Sequence, residues 1–559
     1  MTRSAAFACL LVSIALGADL GPFDSELRPM IEGYTADRKA IEHTFAIGQG
    51  PTLYTRLERL ANDTDAALKA TNFAGLSRNG QIDYLLLRND VERLRGDIAL
   101  HRRRAKELES VIPFYTVIID LEETRRRMVP MEAAKTGQRL ADLAKSIDAA
   151  QTAYSSANQK AVVANRAGEA LKSLRETLKK WYAFYDGYDP MFTWWAQEPY
   201  QEVDKALENF AKSLAPPSGA LIGDPVGRQS LLDYLSYNMI PYTPEELLTL
   251  ARKELAWCEQ EMMKASNEMG FGNEWHRALE AVKNKYVEPG KQPELVRRLA
   301  EEAIEFVTKR DLVTVPPLAR ENWWEEMLSP EDQLRSPFFL GGDLILVAFP
   351  TNTMTQEQKL MTMRGNNEHF SRAVVFHELI PGHHLQGFMQ ERYRKYRETF
   401  QTPFWSEGNA FYWELRLWDL GFPRGPEDRI GMLFWHMHRA ARIIFSLSFH
   451  LEQMTAPQAV DFLVERVGHE RANAEAEVRR SIDGSYEPIY QSAYMLGALQ
   501  FYALQKELVG PGKMTERQFH DAILQEGSIP VELIRADLTK QPLTRDFRAS
   551  WRFYDLPTN

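Results

Sequence analysis

Apolar residues recur at three- and four-residue spacing from about Thr52 onward, as in Leu53 to Leu68, Ile82 to Leu100 and Leu171 to Phe184. That is the period of an amphipathic helix, and it predicts a first half that is helical almost throughout. Two short stretches break the habit: Leu312-Val313-Thr314-Val315-Pro316 and Leu344 to Pro350 are β-rich, apolar and closed by proline, which predicts strands of a small sheet. The second lies just upstream of a histidine cluster. It suits either an edge along which an extended peptide pairs its backbone or a buried core strand. Helical patterning then resumes through Phe370 to Tyr396, Glu407 to Leu420, Met432 to Met454 and Tyr490 to Leu508.

Punctuation divides this pattern without cutting it apart. Pro216-Pro217-Ser218-Gly219 reads as an internal joint, too short to be a flexible linker, and Thr243-Pro244-Glu245-Glu246 is a helix start with proline in the first turn. The expected organisation is a leader over residues 1–18, an N-terminal helical scaffold over 19–220 and a catalytic region over 221–559, the last two forming one continuous body. The leader is read from Arg3, the apolar run Ser4 to Ala18 with its small-residue ending, and the polar segment opened by Asp19. It predicts an exported protein, periplasmic or secreted, with no stable membrane span. Cys9 falls inside that run and is poorly placed for lipid attachment; Cys258 alone would survive cleavage, so packing has to stabilise the mature chain.

Composition narrows the function classes. With 44% hydrophobic and 26% charged residues over 559 positions the chain is an ordinary globular protein. A net charge of -10 gives no basic surface for nucleic acid. The runs His101 to Arg104 and Arg125 to Arg127 read as solvated helix faces.

The chemistry concentrates in His377-Glu378-Leu379-Ile380-Pro381-Gly382-His383-His384. Zinc hydrolases commonly carry H-E-x-x-H, because histidines four apart on a helix point at one ion. Here Pro381 occupies the fourth position and the next histidines come at six and seven. On an unbroken helix His383 would be rotated by about 120° from His377, and His384 would lie about 10 Å along the axis. Pro381 cannot donate to the carbonyl of His377, and Gly382 accepts angles other residues resist, so a two-residue bulge is expected to return a later histidine to the metal. His383 is favoured, with His384 as the alternative, because Glu407 then follows by twenty-four residues on a second helix. His377, His383 and Glu407 would hold one zinc with a position open for water; cobalt or manganese would also suit such donors. Glu378 is placed to act as general base on that water and to return the proton to a leaving amine.

These residues resemble a known group. HELIPGHHLQ and the later EGNAFYWE (Glu407 to Glu414) are similar to the bacterial domain-of-unknown-function family 885, whose members carry H-E-x-x-P-G-H-H-x-Q and E-G-W-A-L-Y-x-E. The likeness runs over most of the mature chain, including Tyr242 to Glu246, Pro488, Tyr494 and Gly497. It implies a place among gluzincin-type metallopeptidases and a layout like helical oligopeptidases of the angiotensin-converting-enzyme and thimet type. The fold it implies is mainly α: a large helical zincin-like body with a small β-sheet beside the active-site helix and a deep channel. Asn409 and Phe411 stand where the family has tryptophan and leucine, Ser446 replaces the aspartate of an R…D…H pattern over Arg442 and His450, and the segment Arg480 to Pro488 is about three residues longer.

The resemblance to helical metallopeptidases implies an electrophilic helper from a late helix, Tyr494 first, then Tyr490 and His450; a core tyrosine would give Tyr494 the same pattern. Arg442 and Arg439 could bind a substrate carboxylate or serve in ion pairs, while His384, His450 and Arg442 are read as substrate-contacting or outer residues. Trp194-Trp195 and Trp323-Trp324 suit core, channel wall or an aromatic subsite. His436 and His438, two apart, make a poor chelate. The function expected is a zinc-dependent hydrolase of peptide or peptide-like amide bonds in short substrates outside the cytoplasm. A hydrolase of non-peptide esters or amides, and a non-catalytic metal- or peptide-binding scaffold, are the rival readings.

Overall fold

The helix Pro426–His450 explains the architecture best, because from Ile430 to His450 every residue is buried. A helix sequestered on all sides has to be surrounded by others. In this computed structural model, which describes residues 20–47, 50–154, 160–216, 220–333, 341–342 and 344–556, it packs on Pro244–Glu268, on Glu368–Glu378 and on Tyr490–Leu508. The expected leader over 1–18 and the Pro217 to Gly219 part of the joint lie outside the described residues. No helix among the described residues is long and apolar enough to cross a membrane.

The mainly helical expectation holds. Leu53 to Leu68 falls within Pro51–Ala70, Ile82 to Leu100 within Arg78–Glu109, and Leu171 to Phe184 within Ala161–Tyr185. The helix start at Thr243 is a reciprocal cap: its Oγ1 accepts from the Glu246 N–H at 3.2 Å, and Glu246 Oε2 accepts from the Thr243 N–H at 2.8 Å.

Burial groups the chain differently from a division at residue 220. Leu27 to Ile98, apart from Ile47, share one core with the helices after Leu231, whereas Ile47 and Leu108 to Leu214 form a second core built by Tyr115–Arg126, Ala133–Ala153, Ala161–Tyr185 and Pro190–Leu214. The 32-residue helix Arg78–Glu109 runs from the first core into the second.

The sheet has two parallel strands, Trp324–Met327 and Leu344–Val347, with Trp324 opposite Leu344. The second is the expected one. Leu312 to Pro316 is not a strand, because side chains take its backbone groups: His520 Nδ1 donates to the Leu312 carbonyl at 2.7 Å and Asp521 accepts from the Thr314 N–H at 2.9 Å.

Candidate metal centre

The helix Glu368–Glu378 starts where Asn367 Oδ1 accepts from the N–H groups of His369 and Phe370, and it ends one residue after His377. There the chain makes a loop with a cis Ile380–Pro381 bond and resumes as the helix His383–Gln390. Across the break the Gly382 N–H donates to Phe376 at 3.0 Å and the Leu385 N–H donates to Leu379 at 3.3 Å. Both bonds span six residues in place of four, so two residues have been inserted into the helical ladder. Gly382 is required by contact, since a Cβ there would overlap the His377 carbonyl.

The break brings His383, not His384, to His377. One ligand atom from each of His377, His383 and Glu407 lies within 4.8 Å of the others, with Glu407 Oε2 3.6 Å from His377 Nε2 and 3.2 Å from His383 Nε2. Glu407 stands in the second turn of Pro403–Asp419, a helix that begins earlier than its apolar pattern predicts because Thr402 caps it and Pro403 opens it. His384 is buried and turned away, its Nε2 donating to the Ala319 carbonyl at 2.7 Å, so it neither holds nor borders the centre.

Residues around these three fix their orientation. His377 Nδ1 donates to Glu414 Oε1 at 2.8 Å, and His383 Nδ1 donates to Gln386 Oε1 at 3.2 Å, which leaves both Nε2 atoms facing Glu407. The Gln386 amide is itself held by its N–H bonds to the Ser406 carbonyl at 3.0 Å and Asn409 Oδ1 at 3.1 Å. The other Glu407 oxygen accepts from the Tyr490 hydroxyl. Two imidazoles with their distal nitrogens engaged, plus one carboxylate, fit a divalent zinc-type ion.

The electrostatics agree with a cation-binding cluster. Burial opposes it, but the two imidazoles hold the Glu407 carboxyl well below its usual range. Burial lowers and Glu407 then raises His383, to about 9. Glu378 is half-buried, and loss of solvent raises its carboxyl, with the two histidines pulling the other way. The backbone of Gly341, just before the second strand, lies against Glu378 so closely that a Cβ would overlap its side chain. His383 is 21% exposed against 3% for His377, so the centre opens on the His383 and Glu378 side.

On the late helix Tyr490–Leu508 the Tyr494 ring lies 6.3 Å from that of His377, nearly parallel to it. Burial pushes its hydroxyl up to about 12. Arg439 and Arg442 sit over the ring at 4.6 and 4.5 Å. Arg442 is committed to both oxygens of Glu477, at 2.7 and 3.0 Å, and Arg439 stands 3.7 Å from Glu414. Arg442 thus positions Tyr494 and is not a free substrate anchor. The late helix meets Pro403–Asp419 backbone to backbone at Gly497 and Gly408, where a Cβ on either would strike the other chain segment.

His450 lies eight residues beyond Arg442, about 12 Å further along the helix axis; its neighbouring charges are Asp224 and Arg104, not those of the centre. His436 pairs with Glu254 and His438 with His469, so the two do not chelate together. Trp194 is 80% exposed, outside both core and centre. The basic runs are ion-paired, Arg102 to Glu58 and Arg125 with Arg126 to Glu122. Glu414, Gln386 and Tyr490 carry more of the centre than the motif reading assigned them; the signal for Glu414 was its seven-residue distance from Glu407, two turns on one helix face.

Helical construction around this cluster defines a class, and the chain belongs to the bacterial family of proteins of unknown function DUF885, matched over residues 50–538. No curated protein matches it. Among solved structures it is similar to a "putative lipoprotein of unknown function" from Shewanella oneidensis, at 18% identity and a TM-score of 0.69, covering 92% of this chain and 99% of that one. A "putative lipoprotein" from Colwellia psychrerythraea aligns at 18% identity and a TM-score of 0.56, covering 92% and 97%. At that identity the likeness establishes the shared fold.

Proposed function

We propose that this protein is a zinc-dependent hydrolase, of the gluzincin type, that cleaves peptide or peptide-like amide bonds of short substrates outside the cytoplasm. The observation that supports it is the convergence of His377, His383 and Glu407 with Glu378 beside them on the open side. Zinc held there would polarise a carbonyl and acidify water. Glu378, poorly solvated and raised, takes the proton from the attacking water and passes it to the leaving nitrogen. Glu414 and Gln386 keep the two imidazoles in the tautomer that presents Nε2. Tyr494 remains protonated at neutral pH and donates to the oxygen that gains charge. Approach past His383, beside the second strand, suits a short extended chain in a channel. The lipoprotein descriptions of both structural relatives and the leader-like N-terminus support action outside the cytoplasm.

Glu378→Gln is the deciding variant. It should keep one zinc per chain by metal analysis and lower turnover of a fluorogenic short-peptide panel by about a hundredfold to ten-thousandfold, the range of general acid–base catalysis. Unchanged turnover removes Glu378 as the base; ester turnover without amide cleavage replaces the substrate class; absence of zinc rejects the reading.

A further inference from the structure

Two features of the sequence take no part in the metal centre, the arginine run Arg125 to Arg127 and the pair Trp194-Trp195, and the fold brings them together. At one end of the second core the last turns of Tyr115–Arg126 and Ala161–Tyr185 meet the first turns of Ala133–Ala153 and Pro190–Leu214. The Arg125 guanidinium lies over the Phe184 ring at 4.7 Å, and the Tyr185 and Phe192 rings are 5.0 Å apart. A Cβ on Gly137 would strike the Trp195 carbonyl.

Half of the large hydrophobic side chains left exposed among the described residues stand on this tip. Met128 and Val129 follow Tyr115–Arg126, Phe184 is next to last in Ala161–Tyr185, Tyr188 lies in the turn after it, and Met191, Trp194 and Trp195 sit on the first two turns of Pro190–Leu214. So many apolar groups in one place mark a surface that meets something other than water. With Met128 88%, Tyr188 85% and Trp194 80% exposed, they stand out from the surface and do not line a groove. A rigid partner would need a matching socket for each. A lipid headgroup layer accepts them in any arrangement, and it is the medium that tryptophan and tyrosine, apolar bodies with a polar edge, favour.

Charge selects the kind of lipid. Arg127, Lys179 and Lys180 are exposed beside the tip and form no ion pair among the described residues. The exposed carboxylates Asp120 and Glu132 are paired with Arg139 and Lys135. Asp186 and Asp189 accept bonds within the turn, from the Thr193 hydroxyl and from the N–H groups of Met191 and Phe192. In a chain of net charge -10 this end therefore presents unpaired cations next to apolar side chains. A second copy would set the same cations against themselves, whereas an anionic bilayer complements them.

We propose that this tip docks on an anionic phospholipid surface, its tryptophan, tyrosine and methionine side chains seated among the headgroups and Arg127, Lys179 and Lys180 facing the phosphates. The contact is peripheral and involves no residue of the metal centre.

A polarity-sensitive fluorophore on the full-length protein reads the contact locally. Carried by Met191→Cys in a Cys9→Ser background, it should shift to the blue on phosphatidylcholine vesicles containing about a quarter phosphatidylglycerol, and the same label on Leu360→Cys, an exposed apolar position on another helix, should not. Tyr188→Ser with Trp194→Ser should weaken vesicle binding at least about tenfold. Arg127→Glu with Lys179→Glu should do the same on the anionic vesicles, since each cation near such a surface contributes roughly a factor of five. All four replaced side chains are exposed, so far-UV circular dichroism should stay that of the parent. No shift at position 191, an equal shift at 191 and 360, affinity unchanged in the folded variants, or a lipid-free shift that grows with protein concentration, the mark of a second copy, overturns the proposal. Zinc and turnover do not enter, so the result stands apart from the hydrolase reading.

Discussion

Arg442, Ser446 and His450 lie four residues apart on one face of the buried stretch Ile430 to His450. With serine where the family pattern has aspartate, Ser446 Oγ, Arg442 Nη1 and both ring nitrogens of His450 have no hydrogen-bond partner among the described residues. Burial accordingly pushes His450 down to about 4. Its folded value lies below the unfolded one, so the unfolded chain takes up the proton first as pH falls. The stability that depends on a neutral His450 is intact above about pH 6.5 and is lost on the way down to about 4, at up to about 1.4 kcal/mol per pH unit. Ser446→Asp should raise the His450 pKa by more than one unit in a proton NMR titration and shrink the loss of urea midpoint between pH 7 and pH 5. An unmoved His450 resonance would mean that position 446 does not bridge the two. Glu414 offers a second test, since it holds His377 Nδ1: Glu414→Gln should weaken zinc about tenfold to hundredfold in a chelator competition, and unchanged affinity would remove Glu414 from the centre. Much of this scale was legible beforehand. His377, Glu378 and Glu407 follow from the motif, while the fate of His384 was decided by a carbonyl 65 residues away, at Ala319, which no spacing argument reaches.

At the scale of elements, the centre depends on how one helix fails. The two residues inserted at Pro381-Gly382 rotate His383 toward His377, and only glycine tolerates the approach to the His377 carbonyl. Gly382→Ala should therefore lose stoichiometric zinc while far-UV circular dichroism stays that of the parent, because the clash is confined to the junction. Zinc retained at parental affinity would show that the junction relaxes without cost to the ligands. The break itself could be inferred from proline and glycine chemistry. Leu312 to Pro316 could not be excluded as a strand, because β-branched content reports a preference, and the competing partners, His520 and Asp521, come from the far end of the chain. The early start of the Glu407 helix was available in Thr402-Pro403 and was hidden by an apolar pattern that becomes regular only later.

Across the whole molecule, burial makes two cores with one long helix passing between them. The second core contributes no residue to the metal centre, so it should lose stability independently. Leu171→Ala, a fully buried position, should cost about 2–5 kcal/mol and speed amide hydrogen exchange in 115–214, leaving exchange in 368–378 and zinc affinity unchanged. Faster exchange in both regions would mean that the cores unfold as one. The sequence could not reveal this grouping, because helical periodicity says which face of a helix is buried and not which partner buries it.

The bare contact between Gly408 and Gly497 has a consequence for how such a protein can change over time. With no side chain interposed, the spacing between Glu407 and the tyrosines is set by main chain alone, so replacements such as Asn409 and Phe411 alter the surroundings without shifting that ruler. The spacing of the centre and the lining around it are thereby heritable as separate traits: one is locked into two glycines, and the other is left free to drift.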